Sequence, residues 1–285
     1  MAGAPRTLEP LPHSDLAVLE AWAAAEGWNP GRSDLSVAFG LDPAAFVGIR
    51  RDGDVAASIS AFRHSDTFGF LGLFFVEEHR RGHGLGAEVF LAALARLDDR
   101  LAPGAVIGMD GVVAMAPWYA EQGFALSHQD LRFEGTLLGA RSPRVVPLDG
   151  GLLEVALRFD ADRAEWDRRR FLTAWLAAPG VVSGAVVDGG DVVAFGALRP
   201  CRQGYKAGPL VAVGPTAAGE LLDDLIARAG GGFVQIDVPE PNEAGCALLR
   251  DRGLTSPFAC ARMYRGGVPT LALDQVFGVT SFEFG

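Results

Sequence analysis

The sequence predicts an α/β protein, a mixed sheet with flanking helices, built as two tandem copies of one domain. Three observations carry that expectation. The same succession of signals runs twice along the chain: a hairpin, a further strand, an amphipathic helix, an aspartate-containing strand and a short helix stopped by glycine. A turn-rich linker, "GARSPRVVPLDGG", separates the two runs around residues 139 to 151. With 285 residues, 49% hydrophobic and 21% charged, the chain also has material for more than one core. The expected domains are 1–140 and 150–285.

Ahead of the first hairpin, Ser14 is placed to cap a helix over "DLAVLEAWAAAEG", and Ser33 to cap a second that stops before Pro43. Between them "WNPGRSD", Trp28 to Asp34, gathers turn formers around an aromatic. That composition suits either a pocket wall or an ordinary helix connection. "VGIRRDGDVAASISAFR" reads as two strands about a tight turn at Asp52 and Gly53. "FGFLGLFFV" is a third strand, and the helix after it carries Phe90, Leu94, Leu97 and Leu101 on one face. "AVIGMDGV" supplies a strand containing Asp110, "WYAEQGF" a helix ending at Gly123, and "ALSHQDLRFEG" the last strand. The second copy repeats the order with "SGAVVDGGDVVAFGALR", "YKAGPLVAV", a helix marked by Leu221, Leu222, Leu225 and Ile226, then "GFVQIDVP", "ALLRDRGL" and "PFACARMYRG".

Charge and cysteine usage narrow the function classes. The formal net charge is -10, and residues 1 to 140 hold ten arginines against eighteen carboxylates, which argues against nucleic acid as a partner. No apolar run approaches the roughly 18 residues of a membrane helix and no leader-like start is evident, so a soluble cytoplasmic protein without membrane contact is expected. Three cysteines without a CxxC spacing point to free thiols, with neither a disulfide framework nor a metal site.

Against this acidic background, His79, Arg80, Arg81 and His83 cluster among glycines where the strand ending at Val76 gives way to a helix. At such a junction backbone N–H groups and the positive end of the helix dipole converge, which favours an anion; a tight turn with no ligand would read the same way. A nucleotide P-loop needs a Gly-Lys-Ser/Thr ending, and the only lysine is the distant Lys206. A dinucleotide fingerprint needs Gly-x-Gly-x-x-Gly after an opening strand, whereas Gly82, Gly84 and Gly86 are evenly spaced and follow a hairpin and a further strand.

The run Arg81-Gly82-His83-Gly84-Leu85-Gly86, preceded by "FFVEEHR" and followed by "WYAEQGF", resembles the paired signatures of the GNAT superfamily of N-acetyltransferases. "WNPGRSD", "SISAFR", "MDGV", "YKAGPL", "QIDVPEPN" and "ARMYRG" are similar to its YitH-like branch, in which a GNAT domain is joined to a second, diverged one. The resemblance covers nearly the whole chain. It implies acetyl-CoA as cosubstrate, its pyrophosphate on Arg81, Gly82, His83, Gly84, Leu85 and Gly86, and its pantetheine along Phe75 and Val76. It implies Tyr119 as proton donor to the departing thiolate, although Tyr119 beside Trp118 also reads as a core aromatic. Phe70 stands where several members carry a glutamate base, and Val112 where an asparagine is frequent. For the base this leaves Asp110, alternatively a turn cap before Gly111, with Glu77 and His64 as weaker candidates. Trp28, Asn29 and Asp34 of the loop between the first helices are expected to form one wall of the acceptor site.

The second copy has Gly214, Pro215 and Thr216 where the first has its basic glycine loop, and Pro215 lacks an N–H, so no second coenzyme site is expected. Lys206, Tyr205 and Asp237 are candidates to line a shared cleft, or are ordinary packing. The expected activity is transfer of acetyl from acetyl-CoA to the primary amine of a small molecule by direct attack, without metal; the alternative is a non-catalytic acyl-CoA-binding regulator. Acceptor and oligomeric state are not fixed by the sequence.

Overall fold

The computed structural model describes residues 8–164 and 166–285. The first run of elements is β1 (Glu9–Pro10), α1 (Leu16–Ala25), α2 (Asp34–Leu41), β2 (Phe46–Arg51), β3 (Asp54–Arg63), β4 (Phe68–Val76), α3 (Leu85–Asp98), β5 (Val106–Val112), α4 (Ala116–Glu121) and β6 (Ala125–Leu137). The second is β7 (Val145–Val146), α5 (Gly150–Ala161), α6 (Arg169–Leu176), β8 (Val182–Asp188), β9 (Asp191–Pro200), β10 (Tyr205–Ala212), α7 (Pro215–Arg228), β11 (Gly232–Pro239), α8 (Glu243–Asp251), β12 (Thr255–Arg265) and β13 (Val276–Gly278). Among the described residues no helix is long and apolar enough to cross a membrane.

Local chemistry explains most boundaries. Asp52 and Gly53 both take left-handed backbone in the two-residue turn between β2 and β3, as Gly189 and Gly190 do between β8 and β9, the conformation that matches strand twist across a tight hairpin. The two helix caps differ from expectation. Ser14 lies in a 3-10 turn before α1, and Ser33 makes no capping bond; the first turn of α2 is held instead by Asp34, whose Oδ2 accepts from Gly31 N at 2.8 Å. A side-chain cap does occur at α8, where Asn242 Oδ1 accepts from Gly245 N at 2.8 Å.

All thirteen strands join one sheet, ordered β1-β2-β3-β4-β5-β12-β6-β11-β10-β9-β8-β7, with β13 on β10. The two runs exchange their last long strands. β5 pairs with β12 from Ile107↔Arg265 to Val112↔Cys260, while β11 pairs with β6 from Gly232↔Leu137 to Pro239↔Asp130. β12 and β6 meet each other at the centre. Helices α3 and α4 cover one face of the first half, where Val89, Phe90, Leu94, Leu97, Met109 and Tyr119 form a core. On the opposite face α1 and α2 share a second core with α5 and α6, including Phe46, Phe62, Phe171, Trp175 and Phe284. Leu221, Leu222, Leu225 and Ile226 of α7 bury against β8 to β11.

Candidate active site

The register of β4 and β5 creates an opening. The two strands run parallel and pair from Phe68↔Val106 only as far as Leu71↔Met109. Leu73 then takes a left-handed φ of 47°, the β3–β4 register shifts between Ser58 and Ser60, and the ends of β4 and β5 separate. The gap is a cleft lined by Leu73, Phe74, Phe90, Val112 and Tyr119, with Trp28, Phe258, Cys260, Phe282 and Glu283 also on its wall. Asp110 borders it as well.

Next to the cleft, α3 begins at an anion cradle. Gly82 and Gly84 have φ of 79° and 80°, conformations that disfavour any side chain, and a Cβ at either would meet nothing within 4 Å, so the backbone faces open space. Gly84 is the N-cap of the 14-residue helix and has no side chain with which to cap its first N–H groups. Arg81 donates from Nε to Val76 O at 2.9 Å and pairs with Glu26 at 2.5 Å, with half of its side chain exposed. His83 is exposed. Leu85 and Gly86 serve the packing of α3: Leu85 is buried, and a Cβ on Gly86 would lie 3.3 Å from Phe74 Cζ and 3.4 Å from Val76 Cγ2. Val76 is partly buried at the cradle edge, whereas Phe75 turns to the other face and stacks on Trp28 at 4.6 Å.

Tyr119 packs in the core tilted against Phe90 and edge-on to Trp118, with ring centroids 5.6 and 5.3 Å away, and the side-chain-free Gly111 leaves room for its ring. Burial pushes its phenol up to about 12, helped by Cys260. Cys260 itself is pushed up by burial and by the carboxylates of Asp110 and Asp237, which keeps it a thiol.

Asp110 has a different setting from the one its sequence context suggests. It lies within β5 rather than at a turn, and both carboxylate oxygens are taken by Arg262 of β12, at 2.6 Å from Nε and 2.5 Å from Nη2. Burial raises its carboxyl well above the ordinary range, with Arg262 opposing and Asp130 adding to the shift. His64 is buried, with Nε2 2.7 Å from Phe284 O, and burial lowers it to about 4. Glu77 pairs with Arg80 at 2.8 Å. Phe70 is fully buried, with Arg262 over its ring at 5.2 Å.

Of the three acceptor-wall residues, the structure brings only Trp28 to the cleft. Asn29 is turned to the second half, bonded to Gln203 O at 2.9 Å and Gln235 Oε1 at 3.1 Å. Asp34 is 3% exposed and is locked to Arg199 of β9. Neither lines this cleft, and the polar groups of both are engaged in joining the two halves. Lys206 and Asp237 likewise do not line the cleft: Lys206 Nζ and Arg132 Nη1 each donate to Trp28 O at 3.0 Å, and Asp237 clasps Arg132 at 2.7 and 2.9 Å. They fix Trp28 from behind. Tyr205 donates to Ala229 O at 3.2 Å, away from the cleft. No local motif marks Phe258, Phe282 and Glu283, which reach the cleft from β12 and the segment 276–285.

The second half closes the corresponding gap. β10 and β11 stay paired only from Tyr205↔Val234 to Ala207↔Ile236, and β13 then pairs with β10 at Leu210↔Gly278 and Val211↔Val276. Val279 N donates to Asp237 O at 2.7 Å, so the same segment bridges to β11.

Two family models match, both GNAT: an acetyltransferase (GNAT) family model over residues 12–124 and an acetyltransferase (GNAT) domain model over 156–278. The chain belongs to the GNAT family. Each half carries one GNAT domain, and among the described residues no group of His, Cys, Asp and Glu is arranged to hold a metal. This GNAT chain is 26% identical over 288 residues to a holothin acyltransferase of Pseudoalteromonas sp. (strain SANK 73390), covering 98% of this chain and 94% of that one. Its fold is similar to that of a Pyrococcus horikoshii protein assigned provisionally as an acetyltransferase, with a TM-score of 0.84, 20% identity and coverage of 100% and 98% of the two chains. A tandem GNAT protein from the clavulanic acid biosynthesis pathway aligns with a TM-score of 0.63 and 14% identity, covering 92% and 99%.

Proposed function

We propose that the chain transfers an acetyl group from acetyl-CoA to the primary amine of a small molecule by direct attack, in the first GNAT domain. The observation that carries this is the conjunction of an open left-handed glycine cradle at the uncapped start of α3 with an apolar cleft that runs between the separated ends of β4 and β5. The cradle and Arg81 fit a pyrophosphate, and the cleft between Leu73, Phe74 and Phe90 fits a narrow, largely apolar arm. Acetyl-CoA, when bound, supplies an activated thioester.

The chain's own residues supply the rest. With a pKa near 12 Tyr119 is a hydrogen-bond donor throughout the physiological range, suited to stabilising a sulfur as negative charge develops on it. Cys260, the thiol bordering the cleft, is kept protonated by burial and neighbouring carboxylates, which disfavours an acyl-cysteine route and favours direct transfer. Trp28 and Phe258 flank a second opening, whose rim carries Glu26, Glu134 and Arg132. The name of the Pseudoalteromonas relative, an acyltransferase of holothin, supports a small-molecule acceptor. Amine-dependent release of free CoA from acetyl-CoA, screened across a panel of primary amines and corrected for hydrolysis, tests the assignment. Tight acetyl-CoA binding with no amine-dependent release would make the chain a regulator instead.

A further inference from the structure

We infer that Glu283, carried into the first domain's cleft by the segment 276–285, is the carboxylate that receives the acceptor amine. After β13 fills the gap in the second half, the segment continues across β4: Gly72 lacks the Cβ that would overlap the Glu283 carbonyl, and Phe284 O meets His64. This crossing places Phe282 and Glu283 on the wall of the cleft that also holds Tyr119. Glu283 is 2% exposed. Its Oε2 accepts from Ser281 Oγ, which fixes the carboxylate, while Oε1 is buried with no hydrogen-bond partner among the described residues. A carboxylate oxygen buried without a partner costs free energy unless a ligand supplies the missing donor. Asp110 cannot take that role, because Arg262 occupies both its oxygens.

The charged and titratable groups around Glu283 are Arg132 from β6, Arg199 from β9, Lys206 from β10, Cys201, and in the cleft Asp110, Tyr119 and Cys260. The three cations are already engaged, Arg132 by Asp237, Arg199 by Asp34, and Lys206 by Trp28 O. An incoming ammonium is therefore the complement that Oε1 lacks.

The assignment rests on the acetyltransferase function proposed above. In the step it implies, the acceptor nitrogen forms a bond to the acetyl carbon as the carbon–sulfur bond breaks. One proton of the bound ammonium first passes to Glu283, which frees the nitrogen lone pair for that attack; the second leaves nitrogen for solvent as the amide forms, and the electron pair of the broken bond leaves on sulfur, which is held by the Tyr119 hydroxyl and protonated from solvent. Glu283 returns its proton to solvent before the next turnover.

The test is Glu283→Gln, which keeps the size of the side chain and an acceptor for Ser281, assayed with the best-used amine of the panel. At pH 7, kcat/KM should fall about a hundredfold, within the range for loss of a positioned base, while the acetyl-CoA affinity read by calorimetry is unchanged. The pH profile supplies a readout that a packing defect would not move: kcat/KM of the variant should climb tenfold per pH unit from pH 6 to 9, because free amine then comes only from solvent deprotonation, whereas the wild type levels off. Glu283→Asp, which keeps the charge, should retain the levelled profile even if its rate is lower. Wild-type kcat/KM in a folded Glu283→Gln protein, or the same profile shape in both proteins, overturns the role of Glu283 and leaves acetyl transfer standing. A wild-type protein that binds acetyl-CoA and acetylates no amine overturns the acetyltransferase function, and the role of Glu283 falls with it.

Discussion

The gap between β4 and β5 and the gap between β10 and β11 begin alike, a parallel pair that parts after a few residues beside an irregular strand, and end differently. In the first half the gap stays open to an uncapped helix start; in the second it is filled by the chain's own β13, and the helix start is Pro215 after an extended Gly214. One fold thus leaves an open slot in one copy and forms a socket for its own backbone in the other.

The largest effect that would sharpen this contrast concerns His64, which stands as far beyond its hairpin turn as Cys201 does beyond the other. Held neutral by burial with a pKa of about 4, His64 takes up no proton in the folded state as pH drops below the ordinary 6.5, while the unfolded chain does. Stability should therefore be unaffected above pH 6.5 and decline between 6.5 and 4, by up to about 3 kcal/mol from this group. Denaturant unfolding of His64→Gln across that range should show a shallower acid loss than wild type; equal slopes would mean His64 does not set the acid sensitivity of the first half.

Next in size, Tyr119→Phe should slow turnover by about tenfold to a hundredfold while acetyl-CoA still binds, since the variant keeps the ring and deletes the donor. The matching helix of the second copy, α8, presents Leu248 and Leu249 and no phenol. Undiminished turnover in the variant would erase this chemical distinction between the copies.

The smallest effect concerns the cradle. Gly84→Val must adopt a φ near 80° that β-branched residues avoid, and should weaken acetyl-CoA binding at least tenfold, about 1.4 kcal/mol. Gly214→Ala, at an extended φ of 175°, should leave binding intact. Calorimetry should give one acetyl-CoA per wild-type chain and no site of wild-type affinity in Gly84→Val. Two sites per wild-type chain, or a site of undiminished affinity in the valine variant, would show the second copy to be a working coenzyme domain.

Features that depend on neighbouring residues were legible in the sequence. The turns at Asp52–Gly53 and Gly189–Gly190, the face of α3, the loop from Arg81 to Gly86 and the aromatic of the loop after α1 all follow from short-range chemistry. Features that depend on pairing across the chain were not. Nothing local distinguishes β6 from β12 as the neighbour of β5, because both are alternating strands that follow a glycine-stopped helix. The same reason hid Arg262, 152 residues from Asp110, and Arg199, 165 residues from Asp34. Two acids that look like site residues in sequence thereby become ties between halves. Glu283 carries no motif at all; only the route of the segment over Gly72 gives it a place in the cleft.

The exchange of β6 and β12 also dictates an order of assembly. During synthesis β5 emerges with one edge bare, and the strand that covers it is not made until the chain reaches residue 255. The local strand that follows, β6, spends that interval without its own final neighbour β11. Long-range strand pairing of this kind is slow and leaves edges open to wrong partners, so the nascent first half must wait, partly folded, for the second. Excision at the 139–151 linker should therefore leave each half without a strand that the other supplies, and a single melting transition is expected for the whole chain.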